Sequence, residues 1–190
     1  MNDTIKSIHS RYSCRTFARE SIPSDEILDV ILRAALASPS ASNHQTWQFV
    51  VCKNRKILDR AQEIGYNYVS GLDDKSKFDR LQKAGGKVFY DAPIVIFVTS
   101  PVGEEKSESL NTGIALQTIA LAATSMGVDS LICGGFTRMC FSDEASSIEM
   151  SKILNFKDGY ICKAAVLLGY STQVGLPHEL NFDKITMINM

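Results

Sequence analysis

The stretch PIVIFVTS, residues 93–100, restricts the fold of this 190-residue chain more than any other. Its five consecutive apolar residues, Ile94 to Val98, leave no polar face, which is expected of a strand that is covered on both sides. Strands are also predicted for the alternating TWQFVVCK and for VDSLICGG and ICKAAVLLG, two short apolar runs that end in or near glycine. Strand and helix signals alternate along the chain, which predicts an α/β or α+β sheet with helical layers.

Helical signals separate these runs. The segment PSDEILDVILRAALAS predicts an amphipathic helix capped by Ser24, and ESLNTGIALQTIALAATSMG predicts a long helix closed by Gly127. A short helix over NRKILDRAQEIG is expected to stop at Gly65, and Ser142 is expected to cap a helix in SDEASSIEMSKIL. The polar segment over residues 66–87 is poorly periodic, and we interpret it as a mobile flap.

Composition narrows the functional classes. The 20 Lys and Arg residues balance 21 Asp and Glu residues, so no overall field favours nucleic acid or a membrane surface. No apolar run approaches the roughly 20 residues that cross a bilayer, and MNDTIKSIHS resembles no signal peptide, so we expect a cytoplasmic protein. Five scattered Cys and three separated His residues predict neither a disulfide framework nor a metal site. With no repeat or linker, residues 1–190 are expected to form a single domain.

The N-terminal stretch SIHSRYSCRTF places Arg11 and Arg15 four residues apart, with Ser13 between them. The two interpretations are a solvated basic surface and a fixed anion site, because paired guanidinium groups can bind phosphate or a polar heterocycle. The polar loop SPSASNHQTW favours the second interpretation, although it also suits a plain helix-to-strand connection. Cys14 could be an activated thiolate, but no second group orients His9 as its base, and we prefer to regard it as a bystander.

Together these segments resemble the FMN-dependent nitroreductase family. The pattern R-x-S-x-R-x-F is matched by Arg11, Ser13, Arg15 and Phe17. The pattern S/P-S-x-x-N-x-Q-x-W-x-F is matched by Pro39, Ser40, Asn43, Gln45, Trp47 and Phe49. The resemblance runs from about residue 7 to about residue 171, and the combination is far more specific than either motif alone.

The resemblance implies an α+β fold in which a mixed central β-sheet is flanked by helices, within a domain-exchanged homodimer. The C-terminal arm, about residues 172–190, would be exchanged with the partner subunit. The cofactor would be FMN, held in one subunit by Arg11, Tyr12, Ser13 and Arg15. The other subunit would contribute Pro39, Ser40, Ser42 and Asn43, and the reactive edge of the flavin would face Cys133, Gly134, Gly135 and Phe136.

The implied activity is that of an NAD(P)H oxidoreductase, in which hydride passes by a ping-pong mechanism through flavin N5 to a nitroaromatic, quinone or related acceptor. No side chain need act as a nucleophile or metal ligand. Dehalogenation, flavin breakdown and non-enzymatic FMN binding are the alternatives. The C-terminal basic pair of many relatives is missing, since LPHELNFDKI offers only His178 and Lys184. Phosphate binding is therefore expected to depend on Arg11 and Arg15, or on Arg138.

Overall fold

A computed structural model describes residues 1–83, 85–103 and 107–188, with the backbone alone at Phe136. The helices of this part are α1 (Asp3–Ser10), α2 (Asp25–Leu36), α3 (Arg55–Ser70), α4 (Ser76–Lys83), α5 (Glu108–Ser125), α6 (Gly135–Met139) and α7 (Glu144–Ile153). The strands are β1 (Gln48–Cys52), β2 (Ile94–Pro101), β3 (Asp129–Cys133) and β4 (Tyr160–Gly169). Short 3-10 turns form at Ala41–Asn43 and Phe182–Lys184.

The four strands form one sheet in the order β1-β2-β4-β3. Phe97 of the central strand β2 pairs with Val50 on one side and with Ala165 on the other. The α+β class is confirmed, and so is the prediction that PIVIFVTS forms a strand covered on both faces. The expected mixture of strand directions is not found among these four strands, because β1–β2, β2–β4 and β3–β4 all pair antiparallel.

Side-chain alternation divides the core into two layers. The front core packs Phe97, Leu131, Leu167 and their neighbours against α3 and the α6–α7 region, whereas the back core packs Ile96 and Val166 against α2 and α5. Because successive residues of a strand point to opposite faces, β2 and β4 must be apolar at nearly every position to supply both layers. This requirement explains the continuous apolar runs in the sequence.

Several predicted helix limits are confirmed and two are wrong. The Ser24 side chain accepts the N–H of Ile27 at 3.4 Å, and Gly127 closes α5 with a φ of 71°. Gly65, however, lies inside α3, where an added Cβ would be 3.0 Å from the Cys140 sulfur. The cap of α7 is Asp143, not Ser142, because the Asp143 carboxylate accepts the N–H of Ser146 at 2.9 Å.

The interpretation of residues 66–87 as a flap is wrong for most of that segment. Its first residues extend α3 to Ser70, and Ser76–Lys83 form α4, whose Leu81 is fully buried in the front core. The partly buried Phe78 of the same helix also packs against the front core, but two apolar contacts among charged neighbours give the sequence little periodicity. Ala84 lies outside the described residues.

The C-terminal arm leaves the body of the subunit after β4. Residues 172–188 have no regular secondary structure apart from the turn Phe182–Lys184, and the large apolar side chains along them are exposed, Val174 by 94% and Ile188 by 89%. Residues 189–190, which complete the predicted arm, lie outside the described part of the chain.

All five cysteines have free thiols, and all five lie in the front core. No described helix combines the length and apolarity that a membrane span needs. Within the same described ranges, no three His, Cys, Asp or Glu residues group closely enough to hold a metal ion.

Candidate functional site

A cavity of about 710 Å³ opens at the end of β3, where α6 begins on the front side of the sheet. Its lining comes from the N-terminal segment, α4, the turn before β2, and the β3–α6 junction. The residues that line it are Arg15, Thr16, Arg80, Lys83, Tyr90, Leu131, Ile132, Cys133, Gly134 and Gly135.

Backbone hydrogen bonds fix the N-terminal segment beside this cavity. The Cys14 N–H donates to the Ser130 carbonyl at 2.9 Å, and the Ala18 N–H donates to the Tyr170 carbonyl at 2.8 Å. Extended backbone between these anchors turns Cys14 inward, where it is 1% exposed, and leaves Arg15 free to line the cavity. The burial of Cys14 favours its interpretation as a bystander.

The turn that carries Tyr90 is under backbone strain. Tyr90 and Asp91 have φ values of 50° and 63°, in the left-handed region that non-glycine residues rarely occupy. Burial raises the pKa of Tyr90, although a hydrogen bond from Arg15 works in the opposite direction. The Tyr90 phenol is therefore neutral at physiological pH, and it lies beside the Arg15 guanidinium. Strain of this kind clusters at functional sites.

Two basic residues of α4 add positive charge that the sequence analysis missed. Arg80 and Lys83 are three residues apart on one helix face, and both line the cavity. The terminal nitrogen of Arg80 is 3.6 Å from the position that a Cβ on Gly135 would occupy. The R-x-x-K spacing is the only local signal for these two residues, and it indicates a shared face only if the segment is a helix. With Arg15, these residues make the cavity basic within a chain of formal charge -1.

The structure brings together only part of the predicted site. Arg15, Cys133, Gly134 and Gly135 share the cavity, and the backbone of Phe136 continues from them in α6. The Phe136 side chain lies outside the described part.

Arg11, Tyr12 and Ser13 are half-buried and precede the cavity lining without joining it. Tyr12 instead lines a second cavity of about 200 Å³ with Asp129 and Ser130.

The predicted loop of Pro39, Ser40, Ser42 and Asn43 is anchored on the other side of the sheet. It follows α2, and its Ala41 N–H donates to the Asn111 Oδ1 of α5 at 2.9 Å. The Ser40 hydroxyl accepts the Gln45 N–H at 2.9 Å. Both α2 and α5 pack on the back core, so this loop and the Arg15 cavity belong to different layers of one chain.

The cavity suits a flat ligand that is rich in hydrogen-bond acceptors. Guanidinium and ammonium groups supply only donors, which match the carbonyl oxygens and ring nitrogens of a heterocycle. Gly134 and Gly135 remove side chains at the mouth of α6 and allow close approach of the backbone. The donor set therefore fits the pyrimidine edge of a flavin.

Comparison with known proteins gives consistent matches. The model of the Nitroreductase family matches residues 8–170. A crystal structure of a nitroreductase with bound FMN from Desulfitobacterium hafniense is 40% identical, covers 100% of both chains and superposes with a TM-score of 0.96. A Methanothermobacter thermautotrophicus protein, provisionally named as an NADH dehydrogenase/NAD(P)H nitroreductase, is 27% identical over 90% of this chain and 78% of its own length.

A third relative is named for a different reaction. Iodotyrosine deiodinase of Hydra vulgaris is 38% identical over 86 residues, which are 45% of this chain and 29% of the deiodinase. The family match, by contrast, spans the N-terminal arginines, the whole sheet and the β3–α6 junction. By this match and by its likeness to the Desulfitobacterium structure, the chain belongs to the nitroreductase family.

Proposed function

We propose that this chain, an FMN-dependent oxidoreductase of the nitroreductase family, passes hydride from NAD(P)H to a small aromatic acceptor by a ping-pong mechanism. Nitroaromatics and quinones are the expected acceptors. The observation that carries the proposal is the basic cavity at the β3–α6 junction, where Arg15, Arg80 and Lys83 face a glycine-lined entrance.

The residues of the cavity would hold the pyrimidine edge of the cofactor. Bound FMN supplies a ring nitrogen, N5, that accepts and returns hydride. Arg15 and Lys83 would donate hydrogen bonds to the pyrimidine oxygens and stabilise the negative charge that the reduced ring carries. Tyr90 would hold the Arg15 guanidinium through its hydroxyl. Gly134 and Gly135 would let backbone N–H groups approach the ring, so that no side chain need act as acid, base or nucleophile.

Arg11 and Ser13 precede the cavity and would bind the phosphate and ribityl chain. The family pattern assigns them this role, and their half-buried position on the segment that carries Arg15 is compatible with it. Pro39, Ser40, Ser42 and Asn43 cannot complete the same site from within their own chain while they are anchored on the back layer. We therefore assign them to the flavin of the partner subunit.

A homodimer accounts for two exposed apolar surfaces. The outer face of helix α5 carries Leu110, Gly113, Ile114 and Leu121, with Ser109, Gln117 and Thr118 among them. The C-terminal arm exposes Leu176, Phe182 and further apolar side chains. Contiguous apolar surface of this kind marks interaction sites. A second copy of the chain would cover both surfaces, and an arm that paired with a sheet edge of the partner would provide a strand exchanged between subunits.

Anaerobic titration of the FMN-loaded protein with NADH and with NADPH tests the activity. We expect bleaching of the flavin absorbance by at least one donor, followed by reoxidation when a nitroaromatic or quinone is added. Parallel lines in double-reciprocal plots would support the ping-pong order. A purified protein that gains no flavin spectrum with added FMN would contradict the proposal at its first step.

Reductive dehalogenation is a second candidate, supported by the similarity of about half the chain to iodotyrosine deiodinases. The matched region is only about a third of those proteins, so the likeness does not extend over their whole length. Reduced protein that ignored nitroaromatics and quinones but released halide from a halogenated phenol would favour this candidate over the first.

A further inference from the structure

We propose that Asn111 is the positioning residue for the loop over residues 39–45, and thereby for the flavin of the partner subunit. This inference rests on the proposed function, in which the loop completes a site in the other chain. Asn111 lies in the first turn of α5 and is only 2% exposed. Its side-chain oxygen accepts the Ala41 N–H at 2.9 Å, which joins the back layer to the middle of the loop.

The loop needs such an anchor because its backbone is strained. Ser42, Asn43 and Gln45 have φ values of 49°, 56° and 48°, and none of them is a glycine. Left-handed conformations of non-glycine residues persist only where the surrounding contacts over-determine them. Within the loop, Ser40 and Asn43 bind Gln45 through side-chain hydrogen bonds. Asn111 ties this internally braced loop to a secondary-structure element.

Only one of the two polar atoms of the Asn111 carboxamide forms a hydrogen bond among the described residues. Its Oδ1 accepts the loop N–H, whereas its Nδ2 is buried with no hydrogen-bond partner among the described residues. A buried donor without a partner destabilises a fold. A residue selected only to fill the core at this position would be apolar, so the carboxamide is accounted for by what its oxygen does to the loop.

Two variants remove the contact from opposite ends. Asn111→Leu removes the acceptor at similar volume. Ala41→Pro removes the donor, and its context is permissive, because Ala41 begins a 3-10 turn and Ser40 before it is extended at φ -139° and ψ 156°. Thr112→Val is the matched control, since it deletes a buried hydroxyl in the same turn of α5.

The measurement is FMN affinity by absorbance and fluorescence titration, with dimer mass determined by light scattering. We expect Asn111→Leu and Ala41→Pro each to weaken FMN binding about tenfold or more at unchanged dimer mass, and Thr112→Val to bind as the wild type does. The double variant should bind FMN as tightly as the single variant with the lower affinity, because both substitutions break the same contact. Wild-type FMN affinity in both single variants, or fully additive losses, would overturn the proposal.

A mixed dimer tests the direction of the effect. The mixed dimer contains one subunit with Asn111→Leu and one subunit with Arg15→Ala. If the loop of each subunit contacts the flavin of its partner, both substitutions affect the same site. The dimer then keeps one high-affinity FMN. If the loop instead contacts the flavin of its own chain, each of the two sites carries one substitution and no high-affinity FMN remains, which would contradict the proposal. Wild-type protein that bound no FMN at all would instead refute the proposed function.

Discussion

The backbone N–H of Ser171 donates to the Asp129 carboxylate across 2.7 Å, which joins the end of β4 to the start of β3. The same carboxylate interacts with the hydroxyl of Tyr12, whose ring packs against Gly175, where an added Cβ would overlap it at 1.8 Å. Tyr12 thus binds the N-terminal segment to the base of the C-terminal arm, next to the motif that carries Arg15.

This contact predicts a loss of stability at alkaline pH. Burial raises the pKa of Tyr12 from 10.0 to about 12, and the Asp129 carboxylate adds to the shift. Above pH 10 the unfolded chain loses this proton first, so the contribution of Tyr12 is complete below pH 10 and is lost as the pH rises to about 12. Denaturant unfolding across this range should show a shallower decline for Tyr12→Phe than for the wild type. Equal slopes would argue against the contact.

Arg15→Ala should remove most of the FMN affinity. Charge-assisted hydrogen bonds contribute about 1.5–3 kcal/mol each, so we expect binding to weaken about tenfold to hundredfold or more. The control is Arg33→Ala, an exposed arginine whose partner is Asp29 on the same helix α2. Flavin fluorescence quenching measures both variants. Unchanged affinity in Arg15→Ala would show that the cavity binds something other than the cofactor.

Lys83→Gln should make the flavin harder to reduce. Removal of one cation from the cavity destabilises the reduced, negatively charged ring, and we expect the midpoint potential to fall by about 10–30 mV, since about 30 mV corresponds to ~1.4 kcal/mol for two electrons. Lys77→Gln is a matched control, because Lys77 lies on the same helix α4 but does not line the cavity. Spectroelectrochemistry gives both values, and an equal shift in the two variants would rule out a local effect.

Gly113→Glu should disrupt the proposed dimer. An added Cβ at Gly113 meets nothing within 4 Å in the single chain, so the subunit itself has room for a side chain there. A charge at this position on the outer face of α5 would be buried without a partner in the dimer interface. Light scattering should report a monomer. Ile148→Glu on the exposed face of α7 should remain dimeric, and a dimeric Gly113→Glu would place the interface elsewhere.

Gly65→Val should destabilise the subunit by about 1–3 kcal/mol through overpacking against Cys140 and Val88. The control Asn67→Val changes an exposed position of α3 and should alter stability by no more than about 0.5 kcal/mol. Chemical denaturation measures both free energies. Equal stability of the two variants would mean that α3 can shift away from α6.

Local signals predicted the strands and the long helices. Because β2 and β4 are buried on both faces, their residues are apolar at nearly every consecutive position. Gly65 was misread because a glycine stops a helix only where the backbone turns left-handed, and its actual role depends on Cys140, far along the chain. Asp143 replaced Ser142 as the cap because two adjacent residues both had side chains that can cap a helix, and the sequence does not decide between them.

Part of the expected site lies together in the structure. The N-terminal motif favoured Arg15, the family resemblance implied the Cys133–Gly135 junction, and both line the cavity. Arg80 and Lys83 were missed because α4 packs on the core through only Phe78 and Leu81 and shows little periodicity. The role of Asn111 could not be predicted, because polar residues are common in the first turn of a helix and the contact with Ala41 depends on the tertiary fold. The separation of the 39–45 loop from the Arg15 cavity, on different layers of the chain, depends on the tertiary fold, which no local pattern encodes.

The placement of the five thiols gives the protein an internal reporter. Cys14, Cys52, Cys140 and Cys162 lie in the front core and do not line the cavity, so an alkylating reagent modifies them only when that layer opens, whereas Cys133 lines the cavity. The back core contains no cysteine, so opening of the back layer alone exposes no thiol to the reagent. Mass-spectrometric counting of labelled thiols over time would therefore record the opening of the front layer alone, without any introduced probe.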